Sequence, residues 1–114
     1  MELIKNKVSL ADLKAMSQKM YGNLVKAVVD TEKEIMVIDS GLHADEEEFL
    51  LEEGSNQKDL WGINLHPDNF GTEDFIEFDS MINIRPSWGN SSRSIDDPTI
   101  QKKIKAIVNK LVIP

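Results

Sequence analysis

The stretch Phe75–Asn90, FIEFDSMINIRPSWGN, decides how the rest of the chain is interpreted. Apolar side chains occupy alternate positions from Ile76 to Ile84, and only Ser80 interrupts them. Such alternation predicts a β-strand with one face against a core. The opposite face is polar and carries Glu77, Asp79, Asn83 and Arg85. We therefore expect one long strand that runs into a polar loop after Arg85.

A second alternating segment precedes this stretch. Residues 60–66 carry large apolar side chains at every second position and leave Asn64 and His66 on the other side. The link that follows, PDNFGTED, is rich in turn-forming residues, so the two segments are predicted to form a β-hairpin. Antiparallel pairing would bring Asn64 and His66 near Glu77 and Asp79.

The amino-terminal half predicts a helix, a hairpin and a second helix. Ser9 has the residue type of an N-cap and Gly22 that of a terminating glycine, which favours a helix over residues 10–21. Two β-branched segments, LVKAVVD and EIMVID, flank a short polar turn and predict a hairpin. The acidic segment 43–54 favours a short helix, because carboxylates suit the first turn and Gly54 can end it.

The carboxyl-terminal segment predicts the third helix. Asp97 is a suitable N-cap and Pro98 a suitable first helical residue. The helix has one apolar stripe, formed by Ile100, Ile104, Ile107, Val108 and Leu111.

Together these elements predict an α+β fold over a single domain, residues 1–114. Its antiparallel sheet has about four strands, supplied by the two hairpins. The amino-terminal and carboxyl-terminal helices pack on one face, and the short helix lies in the middle of the chain. We expect the polar face of the sheet to remain open.

Composition excludes several classes of function. The chain has no cysteine, which excludes disulfides and thiolate metal sites and fits a cytoplasmic protein. A formal net charge of −7 disfavours nucleic acid as a partner. No apolar run approaches the roughly 18 residues of a membrane span, so we expect a soluble protein without a membrane partner.

The polar strand face and the loop after it contain the candidate ligand-binding residues. They are Asn64, His66, Glu77, Asp79, Asn83, Arg85, Trp88, Asn90 and Arg93. Arg85 and Arg93 suit an anion, since guanidinium groups grip carboxylate or phosphate with paired donors. Alternatively, the two arginines pair with Glu77, Asp79 or Asp97 and hold the loop closed. The partner is a small polar ligand, another protein, or a second copy of the chain that contacts Trp88.

A metal-dependent hydrolase is the alternative hypothesis. Two H-x-D units supply imidazole and carboxylate ligands, and the candidate metal residues are His43, Asp45, His66 and Asp79. The aspartates of the two units, Asp45 and Asp68, also have purely structural explanations, Asp45 in a first helical turn and Asp68 in the turn after Pro67. We assign no catalytic residue and no cofactor, and enzyme activity is not the favoured interpretation.

Several phrases of the chain resemble a family of small prokaryotic proteins classed only as a domain of unknown function. The phrases are VKAVVD, GLHAD, EEGSNQKDLWGINLHP and FIEFDSMINIRPSWGNSSR. The resemblance extends over nearly the full length. It implies a single-domain cytoplasmic protein and carries no activity, cofactor or site residue.

Overall fold

The computed structural model describes residues 1–114 and has an α+β fold, as predicted. Its strands are β1 (Glu2–Ile4), β2 (Val8–Ser9), β3 (Val25–Asp30), β4 (Ile35–Ile38), β5 (Leu60–Leu65), β6 (Ile76–Glu77) and β7 (Val112–Ile113). Its helices are α1 (Leu10–Met20), α2 (His43–Glu52) and α3 (Pro98–Leu111). Five strands form an antiparallel sheet in the order β1-β4-β3-β5-β6, and β2 pairs with β7 in a small parallel sheet.

The helix ends follow the local sequence signals. Ser9 caps α1, because its hydroxyl accepts a hydrogen bond from the Asp12 amide at 3.1 Å. Gly22 follows with a positive φ of 87°, the conformation in which glycine commonly ends a helix. The Asp97 carboxylate accepts from the Thr99 amide at 2.8 Å and caps α3. These predictions are confirmed.

The first hairpin is also confirmed, and a buried aspartate closes it. β3 pairs with β4 on one side and with β5 on the other, so β3 is the central strand. Asp30 ends β3, and its Oδ1 accepts the amides of Glu32 and Lys33, both at 2.9 Å. Its Oδ2 accepts the Ser55 hydroxyl at 2.6 Å, which ties the turn to the segment before β5.

Both faces of the sheet are covered. The larger core lies under α1 and α3, where α3 contributes the buried Ile104, Ile107, Val108 and Leu111. On the opposite face, Val28, Val37 and Leu60 pack with Leu50 of α2, and Ile82 packs against the same cluster. The expectation of an open polar face is therefore wrong, because α2 and the segment around Ile82 cover it.

The expected long strand from Phe75 to Arg85 is wrong. Only Ile76–Glu77 forms a strand, and single 3₁₀ turns follow at Met81–Asn83 and Pro86–Trp88. The predicted faces are inverted at one point, where Asn83 is fully buried and Ile84 is 39% exposed. A local turn replaces the strand because the Ser80 hydroxyl accepts the Ile82 amide at 3.3 Å.

No helix is long and apolar enough to cross a membrane.

Candidate functional site

The buried side chain of Asn83 takes the place of a neighbouring strand beside β5. Its Oδ1 accepts the Gly62 amide and its Nδ2 donates to the Gly62 carbonyl, each at 2.9 Å. The same Nδ2 donates to the Arg93 carbonyl at 3.0 Å. The backbone of Gly62 therefore finds its outer partners in an amide side chain, so the edge of β5 is closed where β6 has ended.

Gly62 permits this close approach because it has no side chain. A Cβ atom at this position would lie 2.6 Å from both Cβ and Oγ of Ser80. Ser80 is itself buried, and its amide donates to the Arg93 carbonyl at 3.0 Å. The chain from Ser80 to Arg93 thus folds back on itself directly against β5.

A second buried asparagine, Asn90, holds the carboxyl-terminal part of the segment that begins at Ser80. The Nδ2 of Asn90 lies 2.7 Å from the Asn83 carbonyl, 2.8 Å from the Ser94 carbonyl and 3.2 Å from that of Ser92. Its Oδ1 accepts the Asp96 amide at 2.8 Å. We call residues 80–96 the amide-held segment, because the side chains of Asn83 and Asn90 join its parts.

Trp88 lies at the tip of this segment. Arg85 and Asn90 pair through two backbone hydrogen bonds, of 2.7 and 3.2 Å, and enclose the turn between them. Gly89 has a φ of 83°, a value that favours glycine. The turn displays the Trp88 side chain, which is 54% exposed.

The guanidinium of Arg85 lies beneath Trp88 and is buried. Its Nη2 donates to Oε2 of Glu47 on α2 at 3.1 Å. Its Cζ lies 5.0 Å from the ring centroid of Trp61 and 5.5 Å from that of Trp88. Burial lowers the pKa of this guanidinium, and the Glu47 carboxylate opposes the shift. The expected partners Glu77, Asp79 and Asp97 are therefore wrong for Arg85, whose partner is Glu47.

Two nitrogen atoms of Arg85, Nε and Nη1, are buried without a hydrogen-bond partner. A buried donor that lacks an acceptor costs about 1–3 kcal/mol, and more when it is charged. Glu47 therefore satisfies only part of the guanidinium. The unsatisfied donors are the strongest indication in the molecule of a place for a further acceptor.

Hollows lie on both sides of Trp88. One has a volume of about 270 Å³ and is lined by Gln57, Ile84, Arg85, Pro86, Ser87 and Trp88. The other has a volume of about 300 Å³, and its lining includes Lys58, Trp61, Trp88 and Asp97. Both are close to the lower end of the sizes typical of small-ligand sites. Trp88 thus forms a wall shared by two concave surfaces, one of which includes Arg85.

The other predicted binding residues form a separate polar group at the pairing of β5 with β6. Asn64 Nδ2 and His66 Nε2 lie 3.0 and 3.1 Å from Oε1 of Glu77. The hydrogen bonds from Asn64 and then His66 lower the pKa of Glu77. This proximity was predicted from the sequence and is confirmed. The Oδ1 atom of Asn64 is buried without a partner.

Arg93 pairs with Asp79, as one interpretation of the sequence expected. Its Nε donates to Oδ1 of Asp79 at 2.6 Å, and this bond lowers the pKa of the carboxyl. Both side chains are largely exposed. Arg93 and Arg85 therefore do not act on a common anion, since Arg85 turns towards α2 and Arg93 towards Asp79.

The residues of the metal hypothesis do not come together. No three His, Asp or Glu side chains are grouped so as to hold a metal ion. His43 is buried, and its Nε2 donates to the Ile63 carbonyl at 2.7 Å. Burial lowers the pKa of His43 and this hydrogen bond opposes the shift, so the ring is neutral and structural.

Sequence reasoning missed four residues that matter here: Glu46, Glu47, Trp61 and Gly62. Glu46 is fully buried on α2, and no hydrogen bond of ordinary geometry reaches its oxygens. Burial raises the pKa of Glu46 to about 10, and the nearby Ser40 backbone only partly opposes this. The local signal was the acidic run Asp45–Glu48, in which helical spacing could have shown that one carboxylate faces inward.

Comparisons with known proteins place the chain in a family. No curated protein and no solved structure is significantly similar to it. Residues 2–111 match the family described as "Protein of unknown function (DUF5674)", which confirms the resemblance to an uncharacterised family. The chain belongs to this family of unknown function.

Proposed function

We propose that this chain is a binding module that contacts its partner through the Trp88 turn, residues 85–90. The observation that carries the proposal is the combination of an exposed tryptophan with a buried and incompletely paired arginine beneath it. Tryptophan and arginine are the residue types most enriched at the energetic centres of interfaces.

The way in which the turn is held supports this proposal. Side-chain amides fix both ends of the turn, through Asn83 below it and Asn90 beside it. A contact surface that is already ordered loses little conformational entropy on binding. The polar group around Glu77 contributes less, because its hydrogen bonds are largely made within the chain.

The partner that we propose is a protein, a small polar ligand or a second copy of the chain, and not nucleic acid. The net charge of −7 opposes a phosphate backbone. The absence of cysteine agrees with a reducing compartment, so we propose that the module acts in the cytoplasm.

Selection from a random displayed-peptide library against the purified chain tests the proposal. We expect the selected peptides to lose about 2 kcal/mol of binding free energy, roughly thirtyfold in Kd, with Trp88→Ala. Tyr21→Ala is the matched control, since Tyr21 is an aromatic that is 44% exposed and lines neither hollow. Selected peptides that bind Trp88→Ala as tightly as the unchanged chain would contradict the proposal.

A further inference from the structure

We propose that the group recognised beneath Trp88 is a carboxylate, which binds Nη2 of Arg85 and one of its unpaired donors in competition with Glu47. This inference rests on the proposed function and names the chemistry of the ligand. In the free protein the Glu47 carboxylate occupies the binding site on Arg85, and a ligand carboxylate can replace it there.

The first argument is the unused donor capacity of Arg85. Glu47 contacts one guanidinium nitrogen, while Nε and Nη1 are buried and have no acceptor. An arginine binds a carboxylate best through two parallel hydrogen bonds. Each parallel pair of N–H donors on a guanidinium includes Nη2, so a ligand carboxylate that forms such a pair with Nε or Nη1 must displace Glu47, and it makes two hydrogen bonds in place of one.

The second argument is the access to Arg85. Arg85 lines the hollow of about 270 Å³ together with Trp88, whose side chain is exposed. The Trp88 ring lies over the guanidinium, with its centroid 5.5 Å from Cζ, so the Trp88 rotamer controls access to the donors from this hollow. The apolar wall formed by Ile84 and Trp88 suits a ligand with an apolar body next to its acid group.

The third argument concerns charge. Lys58 lines the hollow on the other side of Trp88, so two cations flank the tryptophan in a chain that is otherwise acidic. Glu47 and Asp97 are also close and disfavour a dianion such as phosphate. A carboxylate is planar and carries a single charge, as does the Glu47 carboxylate that the guanidinium already binds.

Titration with benzoate, against the neutral and similarly shaped benzamide, tests the proposal. The chain has two tryptophans, and both rings contact Arg85, so their two indole N–H signals in NMR spectra report on this site. We expect benzoate to shift both signals in a saturable manner and benzamide to leave them unchanged. Arg85→Lys should abolish the response, because lysine cannot supply the planar pair of donors.

Two variants, Glu47→Gln and Glu47→Asp, together separate competition from simple anion attraction. Removal of the internal carboxylate should strengthen benzoate binding about tenfold and make the melting temperature rise with benzoate concentration. Glu47→Asp keeps the charge and shortens its reach, so it should also strengthen benzoate binding if the two carboxylates compete for Nη2, whereas simple charge attraction predicts no gain. A Glu47 variant that binds benzoate more weakly would overturn the competition.

The remaining outcomes distinguish the sources of the carboxylate and the two proposals. A peptide with a free terminal carboxylate that binds more tightly than benzoate, and loses that advantage when amidated, identifies a chain terminus as the source. An equal response to benzoate and benzamide, or to benzoate and inorganic phosphate, overturns the carboxylate assignment. If selected peptides still depend on Trp88 in that case, the proposed function stands; if they do not, both proposals fail.

Discussion

Two regions of the molecule are stabilised in different ways. The central region, from β3 to β5, consists of strands whose backbones pair directly and whose apolar side chains fill the cores. The amide-held segment has no regular strand; its backbone forms only short turns, and the side chains of Asn83 and Asn90 join these turns to one another and to β5. Both regions are nevertheless well buried where they meet, at Gly62.

The difference shows how an irregular segment can be as firmly held as a sheet. A strand distributes its hydrogen bonds over many residues, so one substitution removes little of the pairing. The amide-held segment takes a large share of its connections from two side chains, so a single substitution there removes several hydrogen bonds at once and leaves the buried backbone groups of Gly62 unpaired. We therefore expect unequal responses to mutation in the two regions.

Asn83→Ala should have the largest effect. It removes both bonds to Gly62 and the bond to the Arg93 carbonyl, and leaves these groups buried. We expect a loss of about 3–5 kcal/mol in the free energy of unfolding. Urea titration followed by circular dichroism measures it, with the exposed Asn23→Ala as control. A loss below about 1 kcal/mol would show that the strand-like role of Asn83 is wrong.

Gly62→Ala should be the next most disruptive change. Its new Cβ would overlap the buried Ser80 side chain, and overpacking of this kind costs about 1–3 kcal/mol. Ser80→Gly should recover most of that loss in the double variant, which a double-mutant cycle measures. Additive losses would mean that the Ser80 contact is not the cause.

Glu46→Gln should stabilise the central region, because it removes an ionisable group that must stay protonated in the fold. Burial raises the Glu46 pKa from 4.5 to about 10, so stability falls as the pH rises through that window. At pH 7 the variant should be more stable by about 2–3 kcal/mol, and the gain should vanish near pH 4.5. Urea titrations from pH 4.5 to 8 measure this.

The matched control for that change is Glu48→Gln, on an exposed position of the same helix. We expect it to leave the pH dependence of unfolding unaltered. A gain for Glu46→Gln that does not vary with pH would contradict a protonated carboxyl at position 46.

Arg93→Ala should have the smallest effect. Its ion pair with Asp79 is exposed on both sides, and such pairs contribute little to stability. The Arg93 carbonyl, which Asn83 and Ser80 use, belongs to the backbone and remains. We expect an unchanged melting temperature. A large loss would mean that side-chain charges, and not the amides, hold the segment.

The sequence was informative where structure is local. Some elements depend only on neighbours within a few residues, and their predictions are confirmed. These elements are the caps at Ser9 and Asp97, the first hairpin and the apolar stripe of α3. The proximity of Asn64 and His66 to Glu77 followed from the second hairpin, although the exact register did not.

Prediction from the sequence failed where a residue far away in the chain determines the local conformation. The alternation in Phe75–Asn90 predicted a strand with Ile84 buried and Asn83 exposed. In the structure the burial of these two residues is the reverse, yet polar and apolar residues still alternate. Nothing local shows that the Asn83 amide will bond to Gly62. Similarly, the partner of Arg85 lies 38 residues away, on a helix that no local signal places beside Arg85.

Hydrogen exchange at the Gly62 amide tests the central claim most directly, because this N–H donates to the Asn83 side chain and to no strand. If the amide-held segment is fixed as firmly as the sheet, this proton exchanges as slowly as that of Ile63 and only through global unfolding. In Asn83→Ala it becomes selectively fast. Exchange as rapid as that of an exposed turn amide such as Ser87, in the unchanged chain, would contradict the account.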